Sequence, residues 1–241
     1  MYQTDGEVYE AAAAYAAERL VEARDGVFSL AVSGGRAGRA LLGALALRPD
    51  IPWHAVDVVV TEELCPPAPA GHRALHVARE TLLSPRGVAP ERVHPIDVDG
   101  GAPDAVAAAY ETELARVLGV PLVLDVVLLE MGAAGEVAGV APNSEAAHTA
   151  RAVAVTPAGA VLAQPRTDRV TLTAATLAAA RCVVVTVTGA DRGNALAAAL
   201  REPSDLRRRP AQVVLPSPRA MWFVDRAAAE PLLRDARPAD Q

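Results

Sequence analysis

The chain has 241 residues, a net charge of −6, 51% hydrophobic and 22% charged residues, the balance of a globular protein and not of a disordered one. All 23 basic residues are arginine, which excludes a lysine Schiff base and leaves any anion to guanidinium groups or backbone N–H groups. Aromatic residues make up only 3%, so Val, Leu and Ala must fill the core. Residues 7–24, EVYEAAAAYAAERLVEAR, have helical spacing and are broken by Asp25-Gly26. VFSLAV (27–32) reads as a buried strand, SGGRAG as a turn, and RALLGALAL as a helix closed by Pro49. AVDVVV (55–60) is a second strand, ending at Thr61-Glu62-Glu63, and the Pro-rich CPPAPAG is a loop. A helix near 72–83, an extended piece Val93-His94-Pro95-Ile96 and the helix DAVAAAYETELARVL follow.

LVLDVVLL (122–129) is a strand leading into the loop EMGAAGEVAGVAP. AVAV (152–155) and AGAVLA (158–163) flank Pro157 and predict one small hairpin. RVTLT enters an Ala-rich helix, CVVVTVTG (182–189) is the most strand-like run, and ADRG opens the helix NALAAALRE. QVVLP (212–216) and a helix from Asp225 complete the pattern. Continuous apolar strands separated by helices predict an α/β fold, a mostly parallel sheet with helices on both faces. With no Gly/Ser linker and no internal repeat, residues 1–241 read as a single domain.

Cys65 and Cys182 fit neither a metal-binding spacing nor a disulfide framework. The polar, acidic start MYQTDGEVYE does not read as a signal peptide, and no apolar stretch reaches the ~18 residues of a membrane span. The expectation is a cytoplasmic protein with no membrane or nucleic-acid partner. The run Arg207-Arg208-Arg209, between Pro203 and Pro210, reads as a solvated loop.

Ligands of such folds bind beyond the carboxyl ends of the strands, which directs attention to SGGRAG, TEELC, EMGAAGE, PRTDR and TGADR. Ser33-Gly34-Gly35 joins a strand to a helix, where free N–H groups favour an anion; a plain tight turn is the equal alternative. As a dinucleotide fingerprint it is poor, because Gly34-Gly35 is followed only by Gly38. Arg169 and Arg192 stand at element boundaries and gain meaning only if they share one edge of the sheet.

The order of motifs resembles the 6-phosphogluconolactonase family, within the wider group that includes glucosamine-6-phosphate deaminase. The stretches that carry it are AVSGGRAGRALLGALA, IPWHAVDVVVTEELCPP, ARETLL with ERVHPIDV, DVVLLEMGAAGEVAGVAP, DRVTLTAATLAAAR, VTVTGADRGNALAAAL and MWFVDRAAAEPLL. The resemblance implies a Rossmann-like fold and a phosphorylated sugar lactone of the pentose phosphate type as substrate. It implies a phosphate cradle of Ser33, Gly34, Gly35 and Arg36 with Arg169 and Arg192. It implies a small-molecule partner, no cofactor, no metal, and a monomer or homodimer.

The reacting end departs from the family pattern G-M-G-x-D-G-H-x-A-S-L-F-P. Glu130 takes the first glycine, Ala134 the aspartate, Glu136 the histidine, and Gly139-Val140-Ala141 the S-L-F. D-E-R-C-V-P appears as Glu62-Glu63-Leu64-Cys65-Pro66-Pro67, so Leu64 replaces the arginine; His72 and Arg73 stand where a Ser-Asn pair is expected. The expectation is that Glu136 replaces histidine as general base, with Glu130, Glu62 and Glu63 as neighbours that raise its proton affinity. Backbone N–H groups near Gly132 to Gly135 are the expected oxyanion donors. Two alternatives stay open: an altered isomerase or deaminase, and a silent sugar-phosphate binder. His72 or His148 is the imidazole that folding could bring into the pocket.

Overall fold

Apolar β-runs that no turn interrupts are buried on both faces, and the computed structural model stacks them accordingly. It describes residues 1–22, 26–160, 165–217 and 219–234. In chain order the elements are α1 (Asp5–Glu22), β1 (Phe28–Val32), α2 (Gly35–Ala46), β2 (Val56–Val60), β3 (Glu62–Leu64) and α3 (Ala74–Ala78). A π turn, Arg79–Leu83, extends α3, followed by β4 (Val93–His94), α4 (Pro103–Leu118), β5 (Val126–Glu130), β6 (Val153–Thr156) and β7 (Arg169–Leu172). Then come α5 (Ala174–Ala178), β8 (Cys182–Val187), α6 (Gly193–Arg201), β9 (Ala220–Val224) and α7 (Arg226–Arg234).

Six strands form a parallel sheet in the order β4-β2-β1-β5-β8-β9. Successive side chains of a strand point to opposite faces, and the core divides accordingly. Ala31, Val127, Val183 and Val185 pack with Leu114 of α4, Leu177 of α5 and Leu196 of α6. Leu30, Val32, Leu128 and Val184 pack on the other face with Leu20 of α1 and Leu41 of α2. No helix among the described residues is long and apolar enough to cross a membrane.

From β1 the chain moves outward to β2 and β4, then returns to β5 on the other side of β1. That reversal places the topological switch point between β1 and β5, where a crevice opens at the carboxyl ends. A second, antiparallel sheet, β3-β7-β6, packs beside α4 into the same core: Val153, Ala154, Val170 and Leu172 join the cluster of Val127. Its register sets Glu62 opposite Thr171 and Leu64 opposite Arg169. The exit from β2 into β3 is held by Tyr110, whose buried hydroxyl accepts the Val60 N–H and donates to the Val60 carbonyl, both at 2.9 Å.

Three sequence expectations change. The hairpin partner of Val153–Thr156 is β7, Arg169–Leu172, across a turn that begins at Pro157; residues 161–163 of the expected second arm lie outside the described residues. QVVLP is not a strand: Pro210–Val214 forms a 3-10 turn whose five residues are all buried, and Pro216 follows it. The last strand is instead Ala220–Val224, at the sheet edge beside β8. The end of the first helix, at residues 23–24, and Asp25 also fall outside the described residues.

Candidate active site

At the switch point lies a cavity of about 300 Å³, lined by Ser33, Gly34, Glu62, Glu130, Gly132, Ala133, Glu136, Ala138, Arg169, Asp191 and Arg192. These residues come from the ends of β1, β5 and β8, the loop after β5, and the small antiparallel sheet. Parallel pairing is what gathers them: Glu130 stands beside Thr186 in the β5–β8 register, two residues before Thr188 and the turn that carries Arg192.

Both arginines expected in the phosphate cradle line the cavity, and each is paired with a carboxylate. The Arg169 Nη1 donates to Glu62 Oε2 at 3.0 Å. The Arg192 Nη2 donates to Glu130 Oε1 at 3.0 Å, its Nε to the Met131 carbonyl at 3.0 Å, and its Nη1 to the Thr188 carbonyl at 3.1 Å. Asp191 adds a further contact to the same guanidinium at 3.1 Å. Burial pushes the Glu130 carboxyl above the usual carboxylate range, against the pull of Arg192 and Arg36.

The Ser33 hydroxyl is committed within the protein. It donates to the Leu128 carbonyl at 2.9 Å and meets Thr61 Oγ1 at 2.8 Å, so it ties β1, β2 and β5 together at the switch point. What this turn offers a ligand is its backbone, at the start of α2, a helix with no acidic residue in its first turn. Gly34 is required by crowding: a Cβ there would lie 2.6 Å from the Ala74 Cα of α3. Arg36 is 74% exposed at its side chain and sits 3.5 Å from Asp5, outside the cavity wall.

The loop after β5 folds back on itself. The Gly132 N–H donates to the Glu136 carbonyl at 2.8 Å and the Gly135 N–H to the Gly132 carbonyl at 3.0 Å, so both amides are spent within the loop. This turn brings the Glu136 side chain over Gly132, where it is 6% exposed. Glu136 Oε2 accepts the Ala134 N–H at 2.9 Å, while Oε1 has no protein donor among the described residues. The Ala133 amide, on the cavity wall, is likewise without an acceptor among them.

Glu63 is placed differently from the other three glutamates. It is 2% exposed and accepts the N–H groups of Leu64, Ala74 and Leu75, each at 2.9 Å, which caps the start of α3. Burial nevertheless pushes its carboxyl upward. Glu63 and His72 line a smaller adjoining cavity of about 140 Å³ that shares Gly34, Glu62, Glu130 and Arg169 with the first. His148 is exposed at the end of the Glu145–Ala147 turn.

A family model described as glucosamine-6-phosphate isomerases/6-phosphogluconolactonase matches residues 3–222. The chain belongs to this family. A 6-phosphogluconolactonase of Streptomyces coelicolor is 32% identical to it over 95% of this chain and 92% of the relative. The solved 6-phosphogluconolactonase of Trypanosoma brucei superposes with a TM-score of 0.83 at 25% identity, covering 96% of this chain and 97% of that one. A monomeric glucosamine-6-phosphate deaminase shares the fold at a TM-score of 0.78 and 16% identity, over 95% and 99% of the two chains.

Membership in the glucosamine-6-phosphate isomerase/6-phosphogluconolactonase family makes the residues that sequence reasoning passed over informative. Asp191 was legible as part of TGADR, yet only the fold sets it against Arg192. Ala133 falls within the Gly132 to Gly135 stretch expected to supply amides, but only the fold shows that its N–H, unlike those of the two glycines, is not spent within the loop. Thr61 and Thr171 look like ordinary strand residues. Thr171 Oγ1 in fact accepts the Gly139 N–H at 2.9 Å, fastening the end of the loop after β5 to β7.

Proposed function

We propose that the chain hydrolyses a phosphorylated sugar lactone, as its 6-phosphogluconolactonase relatives are named for doing, with Glu136 as the base. The observation that carries this reading is the sharing of one cavity by Glu136, whose Oε1 accepts no hydrogen bond among the described residues, and the two guanidiniums of Arg169 and Arg192. The phosphate binds toward the arginines and the turn at Gly34, and this remote binding orients the lactone ring. Glu136 takes a proton from water as its oxygen attacks the lactone carbonyl. The C=O electrons move to oxygen, and the Ala133 N–H stands in the wall where that negative charge develops. Collapse of the tetrahedral species breaks the ring C–O bond, and the proton held by Glu136 passes to the departing alkoxide. The product is the open sugar acid.

The test is the decay of freshly made 6-phosphogluconolactone against its spontaneous opening. Acceleration that Glu136→Gln abolishes supports the reading; no acceleration at any pH removes it.

A silent sugar-phosphate binder is the second reading. It is favoured by the pairing of both arginines with Glu62 and Glu130, which leaves neither guanidinium bare. A rise in melting temperature with 6-phosphogluconate and no turnover identifies that case.

A further inference from the structure

Four carboxylates, those of Glu62, Glu130, Glu136 and Asp191, line a cavity that holds two guanidiniums. A phosphate dianion entering with all four ionised meets a net negative wall, and near 4 Å each like-charge contact is substantial outside bulk water. One of the four must yield. Glu62 is committed to Arg169 from a neighbouring strand of the same small sheet, and Glu136 is held by the Ala134 amide. Asp191 is mostly exposed and solvated. Glu130 differs in its setting: it ends β5 at the switch point and accepts from Nη2 of Arg192, a guanidinium also held by two backbone carbonyls.

Resting on the sugar-phosphate reading above, we propose that Glu130 is a built-in stand-in for the substrate phosphate, released from Arg192 by taking up a proton when an anion binds. As a carboxylate it competes with the anion for Nη2. As a carboxylic acid it no longer competes and donates its O–H to an anion oxygen. Binding of each dianion therefore carries one solvent proton into the site.

The groups facing Glu130 fit this exchange. Arg192 from the turn after β8 and Arg36 from α2 favour its ionised form, while Glu62 of β3 opposes it. Tyr9 of α1, whose hydroxyl contacts Thr188 Oγ1 at 3.1 Å, feels the Glu130 charge from below. Glu136 from the following loop and Asp191 beside Arg192 complete the surroundings. Passing the Nη2 bond from Glu130 to an anion leaves Glu130 beside like charges and poorly solvated, the two conditions that hold a proton on a carboxyl group. The guanidinium itself stays in place, through its bonds to the Met131 and Thr188 carbonyls. The cradle is preformed, and only its occupant changes.

The experiment is calorimetric titration of the full chain with sulfate, which keeps two charges across the working range, and with 6-phosphogluconate. Each is measured in two buffers of unlike ionisation enthalpy near neutral pH. Wild-type protein should take up close to one proton per sulfate bound. Glu130→Gln, which keeps the side-chain shape without the charge, should take up none and bind sulfate on the order of 10-fold more tightly at mildly alkaline pH. Sulfate binding by wild type with no dependence on the buffer overturns the Glu130 exchange while leaving the anion cradle standing. Binding by neither protein, with both folded by circular dichroism, overturns the cradle and the exchange together. The wild-type proton count decides the matter even if the variant is unstable.

Discussion

The Glu136 carboxyl occupies the space where Gly132 would carry a side chain. A Cβ on Gly132 would lie 2.1 Å from Glu136 Cδ and 2.2 Å from Oε1, distances no real contact permits. The glycine is therefore a condition for the position of the glutamate, four residues on. Gly132→Ala should drive the carboxyl out of the cavity and lower lactone hydrolysis about 100-fold, as misplacement of a reacting group does. Its stability cost should be about 1 kcal/mol, the low end for overpacking, because what yields is the end of a flexible side chain. Gly43→Ala is the contrast: it lies within α2, meets nothing within 4 Å, and should stabilise the chain by about 0.5–1 kcal/mol. Equal activity in Gly132→Ala and wild type would place the chemistry elsewhere.

Glu136→Gln preserves the shape over Gly132 and removes the basic oxygen. Loss of a general base lowers kcat by about 10²–10⁴. Because the proposed phosphate contacts are Arg169 and Arg192, on the wall of the same cavity, KM should shift by less than about threefold, a split that separates base from binder. A variant with full turnover would shift the base to His72, the imidazole of the adjoining cavity.

How far these relationships could be read in advance varied by element. The run CVVVTVTG was legible because six consecutive buried residues, Cys182–Val187, leave no amphipathic ambiguity. QVVLP carried the same apolar signal but is bracketed by Pro210 and Pro216, and those ring-fixed ends close a short turn against the core. The strand Ala220–Val224 was hidden by its edge position, where Met221 is exposed and the pattern is mixed. At the site, the arginines and glutamates could be named from motif order, whereas their pairing could not. Glu130 and Arg192 are brought together only by β5–β8 pairing, a contact across 62 residues. Glu63 shows the opposite limit: adjacent to Glu62 in sequence, it faces the other way along β3 and caps α3. Strand alternation predicts such divergence, but only once β3 is known to be a strand.

Arg169 and Glu62 form a nearly buried pair between β7 and β3, at side-chain exposures of 9% and 18%. Removing one member leaves the other charged and poorly solvated, a loss of about 3–5 kcal/mol. Arg169→Met should therefore destabilise strongly, Glu62→Gln likewise, and the double variant should recover about 1–3 kcal/mol of the summed cost. Urea unfolding of the four proteins completes the cycle. Simple additivity would show that the pair is no stabilising unit, whatever its role toward phosphate. In the same series, every variant lacking Arg169 should lose the 6-phosphogluconate melting shift, including the double variant that regains stability.

Glu113 of α4 sets an acid-side limit far from the cavity. Bonds from Arg116, then from His94, hold its carboxyl down at about 2 in the folded chain. A carboxyl depressed by folding contributes stability above its unfolded value near 4.3, and that contribution is lost as pH falls through the folded value. Melting temperature should accordingly drop between about pH 5 and pH 2 more steeply in wild type than in Glu113→Gln. Glu113 is a third exposed and Arg116 is largely solvated, so screening reduces the contribution to on the order of 1 kcal/mol. High salt should shrink the difference further, because the Arg116 contact faces water, while the bond to the buried His94 ring persists. Parallel melting curves for the two proteins across that range would show that the Arg116–Glu113–His94 chain contributes nothing to folding.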